Sequence, residues 1–198
     1  NTYVLYDAHH ALIIDPGMYT VQEEQQFVSF LKNKNLKPTA LLNTHCHIDH
    51  VLGNQFIYDT YGLTPQMHEL EVPLLVAVST YAPLRGFRYE GSPIPETFLP
   101  EKGTIRFADN SLHILFTPGH SPGHLCFYAP EEGFIIAGDV LFHRSIGRTD
   151  LPGGNHQQLL DSIAQQIYTL PDSVRIYPGH GPYTSIGEEK AENPYIRA

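Results

Sequence analysis

Four side chains that can bind metal ions lie within six consecutive residues of this 198-residue chain. The segment reads His45-Cys46-His47-Ile48-Asp49-His50. Imidazole nitrogens and carboxylate oxygens are ligands that zinc, iron and manganese accept. A polar loop without a metal is the alternative interpretation, but three histidines and an aspartate at this spacing favour a metal site.

Three further candidate ligands each follow a glycine at the end of a predicted strand. They are His120 in Thr117-Pro118-Gly119-His120, Asp139 in Ala137-Gly138-Asp139 and His180 in Pro178-Gly179-His180. Glycine permits backbone angles that turn the next side chain into a crevice. Together the two groups suffice for two divalent ions if one carboxylate is shared, because paired ions lie about 3.5–4 Å apart. The residues themselves do not identify the bridging carboxylate.

The elements that must position these side chains alternate between strands and helices in the first half. The predicted strands are Thr2–Asp7, Ala11–Asp15, Thr39–Asn43 and Pro65–His68. Thr20 and Glu23 predict a capping box that opens a helix ending near Asn35, and helices are also expected over Val51–Tyr61 and Glu69–Ser79. The first cluster is therefore predicted to lie on a loop at the end of a strand.

The second half is predicted to be richer in strands. The four strands Thr104–Phe107, Ser111–Thr117, His124–Ala129 and Phe134–Ala137 are expected to form an antiparallel meander, followed by a helix over Gln157–Leu170 and a strand over Val174–Tyr177. Between the halves, Tyr81–Pro100 is rich in Pro, Gly, Arg and aromatic residues and is predicted to be a long loop. It is either a lid on the substrate side or a surface excursion. The whole pattern favours two packed sheets with helices outside.

Composition and charge limit the classes of function. A chain of this length with 41% hydrophobic residues can bury one core, so a single domain over residues 1–198 is expected. Two cysteines are too few for a disulfide framework, and no long apolar run occurs in the sequence. A membrane partner is therefore not expected, and a cytoplasmic location is expected. The net charge of −9 disfavours a nucleic-acid partner. Because the chain opens at Asn1 inside an apolar stretch, we expect a preceding segment to be missing.

The ordered motifs resemble the signature of the metallo-β-lactamase superfamily over essentially the whole chain. The resemblance implies an αββα sandwich, a four-layer fold with the site along one rim. It implies that His45, His47 and His120 hold a first metal ion, that Asp49, His50 and His180 hold a second, and that Asp139 bridges them. It further implies that Asp15 steadies the metal-binding loop from behind.

Two further segments narrow the resemblance. These segments are similar to short bacterial hydrolases of the glyoxalase II type, which cleave hydroxyacylglutathione thioesters. The first is Ile146–Gly154, and the second is Ile186–Lys190 together with Asn193-Pro194-Tyr195. Full-length glyoxalase II has a helical C-terminal domain that contributes to the glutathione site. Only 18 residues follow His180, so this helical domain is not expected here. The implied substrate is a hydroxyacylglutathione such as lactoylglutathione.

The implied mechanism is hydrolytic. Two divalent ions would share a water molecule whose pKa falls toward neutrality, and the resulting hydroxide would attack the thioester. Zinc is the expected metal, and iron and manganese are the alternatives. Asp49 is expected to fix this water and to take its proton. Arg148 is the candidate contact for a glutathione carboxylate, because a guanidinium binds carboxylates bidentately. A simple ion pair with Asp150 is the competing explanation for Arg148.

Other functions remain open at this point. The commonest class of β-lactamases carries Arg at the position of His50 and Cys at the position of Asp139. This chain has neither of these two residues at those positions. A mononuclear iron persulfide dioxygenase using His45, His120 and Asp139 is an alternative. A second alternative is a non-catalytic, metal-dependent binding module. The expected partner is a small-molecule thioester, and the sequence does not predict an oligomeric state.

Overall fold

The chain begins with an antiparallel hairpin in the computed structural model, which describes residues 1–197. The strands of the first compact unit, Asn1–Leu99, are β1 (Tyr3–Tyr6), β2 (His10–Ile14), β3 (Lys37–Leu42) and β4 (Pro65–Gln66). They form one sheet in the order β1-β2-β3-β4, in which β3 runs parallel to both β2 and β4. The predicted hairpin and both later strands are confirmed, with ends displaced by a few residues.

Helix α1 (Val21–Asn33) begins at the predicted capping box. The Thr20 hydroxyl accepts the Glu23 N–H at 3.2 Å, and the Glu23 carboxylate accepts the Thr20 N–H at 2.8 Å. The Thr20 N–H and the Tyr19 N–H both donate to the Glu23 carboxylate and lower its pKa. The helix buries Phe27 and Leu31 against the sheet. The box therefore fixes where a core-covering helix starts.

The predicted helix over Val51–Tyr61 is instead two helices, α2 (Ile48–Val51) and α3 (Asn54–Tyr61). The break lies at Gly53, whose N–H donates to the Pro16 carbonyl at 2.7 Å. A Cβ at Gly53 would overlap Met18 Sδ and would lie 2.9 Å from the Pro16 carbonyl oxygen, so a larger residue would require these groups to move. Periodicity could not reveal this contact because Met18 is distant in sequence.

The rest of this unit is helical and then irregular. A 3₁₀ turn at Glu69–Glu71 leads into helix α4 (Val72–Tyr81), and a second 3₁₀ turn spans Pro83–Arg85. Residues 86–99 contain no helix or strand. The predicted long loop is confirmed.

The second compact unit begins at Pro100 and contains a six-stranded sheet. Its strands are β5 (Lys102–Phe107), β6 (Asn110–Phe116), β7 (Leu125–Ala129), β8 (Phe134–Gly138), β11 (Arg175–Pro178) and β12 (Thr184–Ser185), while β9 (Leu141–Phe142) and β10 (Ser145–Ile146) pair as a separate ribbon. The order is β12-β11-β8-β7-β6-β5, with β11 parallel to β8. The predicted meander of four strands is confirmed by the antiparallel pairs from β5 to β8.

Two helices cover one face of this sheet. Helix α5 (His156–Ser162) continues as a π-helical turn over Ile163–Ile167, and α6 (Ile186–Glu192) follows β12. Their apolar residues pack in one cluster with side chains of β7, β8 and β11. The predicted helix over Gln157–Leu170 is confirmed, whereas β9, β10, β12 and α6 were not predicted as elements.

No helix among residues 1–197 is long and apolar enough to cross a membrane. The assignment of residues 1–198 to a single domain stays a prediction.

Thr20→Ala should lower the free energy of unfolding by about 1 kcal/mol, because the hydroxyl that satisfies the Glu23 N–H is removed. Thr20→Ser is the matched control and should stay within a few tenths of a kcal/mol of the parent. Urea denaturation followed by circular dichroism measures both. Equal losses for Ala and Ser would show that the hydroxyl contributes nothing.

Candidate metal centre

Three imidazole rings of the first unit converge immediately after β3. The ring centroids of His45 and His47 are 4.8 Å apart, and those of His45 and His50 are 4.1 Å apart. His45 and His50 are buried. Asp49 is about half exposed, with one carboxylate oxygen 3.6 Å from His50 Nε2. The structure thus brings the predicted first cluster together, but Asp49 and His50 lie on α2 rather than on a loop.

Asp15 lies beneath this cluster as an almost fully buried carboxylate. One of its oxygens accepts the Thr44 N–H at 2.7 Å, and the other lies 2.6 Å from the Thr44 hydroxyl and 3.0 Å from His50 Nδ1. The Thr44 hydroxyl is also 3.0 Å from His45 Nδ1. Asp15 and Thr44 therefore engage the Nδ1 atoms of two rings, which leaves Nε2 as the atom for a metal. These contacts agree with the role predicted for Asp15.

Close backbone approaches shape the same segment. A Cβ at Gly17 would overlap the carbonyl oxygen of Asp49. The Cys46 N–H donates to the buried carboxylate of Glu71 at 2.8 Å. Sequence reasoning missed Glu71, because nothing in a 3₁₀ turn 25 residues downstream marks it as a partner of the histidine segment.

Cys46 packs in the core instead of facing the candidate ligands. It is fully buried, and its Sγ lies 3.3 Å from Met67 Sδ. Burial raises the pKa of the Cys46 thiol far above its ordinary value, with the Glu71 and Asp15 carboxylates adding to the shift. A neutral thiol is a poor metal ligand and a poor nucleophile. Cys46 is therefore a core residue although it lies between two candidate ligands in the sequence.

The second unit places one carboxylate between two imidazoles. An oxygen of Asp139 lies 3.4 Å from His120 Nε2 and 3.4 Å from His180 Nε2. His120 and Asp139 are buried, whereas His180 is half exposed. One carboxylate oxygen of Asp139 thus lies close to two candidate ligand nitrogens, and the bridging of two metal ions by Asp139 stays a prediction.

Glycine makes the approach to these ligands possible. Gly119 has φ +134° and Gly138 has φ +48°, both in the region that favours glycine. A Cβ at Gly119 would overlap the backbone of Leu159, and one at Gly147 would overlap the Asp139 carbonyl. The predicted glycine conformation is therefore present before His120 and Asp139, whereas Gly179, before His180, has no positive φ. Gly147 is a further requirement of the fold.

Arg148 contacts the candidate site through its backbone. Its carbonyl oxygen accepts a hydrogen bond from His120 Nδ1 at 2.7 Å, which directs Nε2 toward Asp139. Its exposed guanidinium donates two bonds of 2.7 Å to Asp150. This pair lowers the pKa of Asp150 to about 2. The predicted ion pair is confirmed, and contact between Arg148 and a substrate stays a prediction.

The donor chemistry of both sets fits divalent ions of the zinc and iron type. Every candidate ligand is an imidazole nitrogen or a carboxylate oxygen. Three of the imidazoles have Nδ1 within hydrogen-bond distance of the protein, which orients Nε2 as a ligand atom. The residues present therefore fit a metal centre.

Comparisons with known proteins agree with this fold and this donor set. The model of the metallo-β-lactamase superfamily matches residues 1–180. Hydroxyacylglutathione hydrolase GloC of Haemophilus influenzae is 34% identical over 97% of this chain and 90% of its own length.

Two solved structures are similar along almost the full chain. The B3 metallo-β-lactamase BLEG-1 shares 36% identity and a TM-score of 0.89, over 98% of this chain and 93% of that chain. TTHA1623 in a di-iron-bound form shares 34% identity and a TM-score of 0.88, over 99% and 94%. The fold class predicted from the sequence is confirmed.

Asp15→Asn should weaken metal binding by about 10- to 100-fold, because the amide cannot accept from the Thr44 N–H and from His50 Nδ1 with the same geometry. Competition with a chromophoric chelator measures the affinity. Asp59→Asn is the matched control, since Asp59 is an exposed carboxylate on α3 that accepts a hydrogen bond from the Gln55 amide. Equal affinities for the two variants would contradict the role of Asp15.

Proposed function

Because the chain belongs to the metallo-β-lactamase superfamily, a family of metal-dependent hydrolases, we propose that it cleaves the thioester of a hydroxyacylglutathione such as lactoylglutathione. The observation that carries the proposal is the set of seven nitrogen and oxygen ligands, oriented in each unit by hydrogen bonds to the protein. The similarity to GloC, a hydroxyacylglutathione hydrolase by name, favours this substrate class.

The seven candidate ligands are proposed to hold two divalent ions, as the family resemblance implies. His45, His47 and His120 would hold one ion, and Asp49, His50 and His180 the other, with Asp139 shared. Zinc is the proposed metal, and the similarity to a di-iron protein keeps iron open. When bound, such ions supply Lewis acidity and lower the pKa of a water molecule toward 7.

Asp49 is the proposed catalytic carboxylate. It is the one ligand of the first unit with an exposed carboxylate, so it can orient an attacking water and accept its proton. His45 and His50 are held beneath it by Thr44 and Asp15. These side chains hold their positions without reorganisation during the reaction, which favours a charged transition state.

The proposed leaving group is a thiolate, which suits a site composed of candidate metal ligands rather than of proton-donating side chains. A thiol has a pKa of about 8.5, so a thiolate departs with little protonation near neutral pH. An amide nitrogen requires a proton donor at this step. The proposed reaction therefore needs only attack by water and stabilisation of the oxyanion.

Arg148 is the proposed contact for a carboxylate of glutathione. Its exposed guanidinium is already arranged as a fork on Asp150, which shows that it can bind a carboxylate bidentately. A substrate carboxylate would replace Asp150 on this fork. The proposed partner is thus a small anionic thioester.

Cleavage of S-lactoylglutathione should require metal and the ligand set. Protein stripped by a chelator should be inactive and regain activity with zinc, and Asp139→Asn should lower kcat/KM by at least about 100-fold. Asp109→Asn, in the exposed turn between β5 and β6, is the matched control. Loss of thioester absorbance is the assay.

The same metal-quantified preparation separates the alternatives. Oxygen uptake with glutathione persulfide and one iron per chain, without thioester cleavage, would identify a dioxygenase. Hydrolysis of a β-lactam alone would place the activity with BLEG-1. Failure on every substrate despite two bound ions would leave a binding module.

Arg148→Ala should raise KM for lactoylglutathione on the order of tenfold and change kcat little, because a contact to a remote carboxylate contributes equally to substrate and transition state. Arg106→Ala, an exposed arginine on β5, is the control. Asp150→Asn should leave KM unchanged or lower it, since it frees the guanidinium. An unaltered KM for Arg148→Ala would exclude Arg148 from the substrate site.

A further inference from the structure

We propose that His124 is a positioning residue that sets the place of the Asp139 carboxylate through the Asp139 backbone. The inference rests on the proposed function, because it takes Asp139 and His120 to be metal ligands. His124 immediately precedes β7 and is fully buried. Its Nε2 lies 3.1 Å from the backbone nitrogen of Asp139, whose N–H donates to it.

The second nitrogen of the ring fixes its orientation. His124 Nδ1 lies 3.1 Å from the Thr117 hydroxyl. Because Nε2 accepts the Asp139 N–H, the proton of the neutral ring is on Nδ1 and points at the Thr117 oxygen. The Thr117 N–H in turn donates to the His124 carbonyl at 2.9 Å. Side chain and backbone of Thr117 thus both hold His124 in place.

One imidazole therefore connects two of the three chain segments that deliver candidate ligands in this unit. Thr117 begins the turn that leads to His120, and Asp139 follows β8. The rings of His120 and His124 meet edge to face, with centroids 6.1 Å apart. A rigid planar ring with both nitrogens engaged fixes the spacing of these segments, so the 3.4 Å separation of Asp139 and His120 depends on it.

The alternative role for a buried histidine at this place is metal ligation. The Nε2 lone pair of His124 already accepts the Asp139 N–H, and Nδ1 already faces Thr117. A metal at Nε2 would have to displace the Asp139 N–H, and this buried amide would lose its acceptor, which is unfavourable. His124 therefore acts on the metal site through Asp139.

Two amide substitutions distinguish this role from general stability. Gln carries its amide near the position of Nε2 and can accept the Asp139 N–H, whereas Asn carries it near the position of Nδ1 and reaches only Thr117. His124→Gln should bind zinc within about threefold of the parent, and His124→Asn should bind about 10- to 100-fold more weakly. Competition with a chromophoric chelator gives the affinities.

A spectroscopic readout removes the remaining ambiguity. The Co²⁺-substituted His124→Gln protein should keep the parent visible absorption bands, and His124→Asn should shift them, because the ligand geometry around Asp139 changes. Thermal unfolding of the metal-free proteins shows whether the two variants are equally stable. His113→Asn, at an exposed histidine on β6, is the matched control and should leave affinity and spectrum unchanged.

The outcomes are separable from those of the proposed function. Equal zinc affinities and equal Co²⁺ spectra for His124→Gln and His124→Asn would overturn the positioning role, whatever the thioesterase assay shows. A parent protein that binds no zinc or cobalt would overturn the proposed metal centre itself. If His124→Asn fails to fold, Thr117→Val replaces it, because it removes the oxygen that faces Nδ1 and should shift the Co²⁺ spectrum.

Discussion

The candidate site depends on one repeated interaction, a hydrogen bond between the Nδ1 atom of a histidine and a fixed group of the protein. Asp15 engages His50, Thr44 engages His45 and the carbonyl of Arg148 engages His120. An imidazole held in this way has one tautomer and one ring orientation, so Nε2 is presented to a metal before any metal arrives. The conformational entropy of these side chains is therefore lost on folding, and buried hydrogen bonds offset the loss.

The segments that carry these hydrogen bonds pack so closely that a side chain would not fit at three of their glycines. At Gly17, Gly119 and Gly147 an added Cβ would overlap backbone atoms. Gly17 and Gly147 lie against the carbonyl groups of two ligands, Asp49 and Asp139. The glycines thus do more than turn the chain. They bring separate segments into contact at the places where the ligands are attached, and packing there leaves no room for adjustment.

The sequence predicted the parts of this arrangement that are local. The first hairpin, the capping box at Thr20 and the four-stranded meander follow from alternation and turn residues within a few positions. The parts that depend on distant partners were not predictable. Glu71 reaches the Cys46 N–H across 25 residues. The break at Gly53 depends on contact with residues 16–18, and the two-residue strands of the β9–β10 ribbon are too short to carry a period.

The proposed chemistry and the proposed specificity involve different kinds of residue. The candidate ligands rest on buried bonds, which change together or not at all. The proposed substrate contact is exposed, because Arg148 and Asp150 form a surface pair. The loop of residues 86–99 is partly exposed and is held by the packing of Phe87 and Tyr89 and by polar contacts, such as Tyr19 Oη accepting the Arg88 N–H at 2.9 Å. Exposed ion pairs contribute little to stability, so the proposed exchange of Asp150 for a substrate carboxylate on Arg148 would cost little. A substrate with a second carboxylate, or with none, could therefore be accommodated by changes at the surface alone, while the ligand network stays intact. Such a separation agrees with the similarity of this one chain to proteins named for a thioester and for β-lactams.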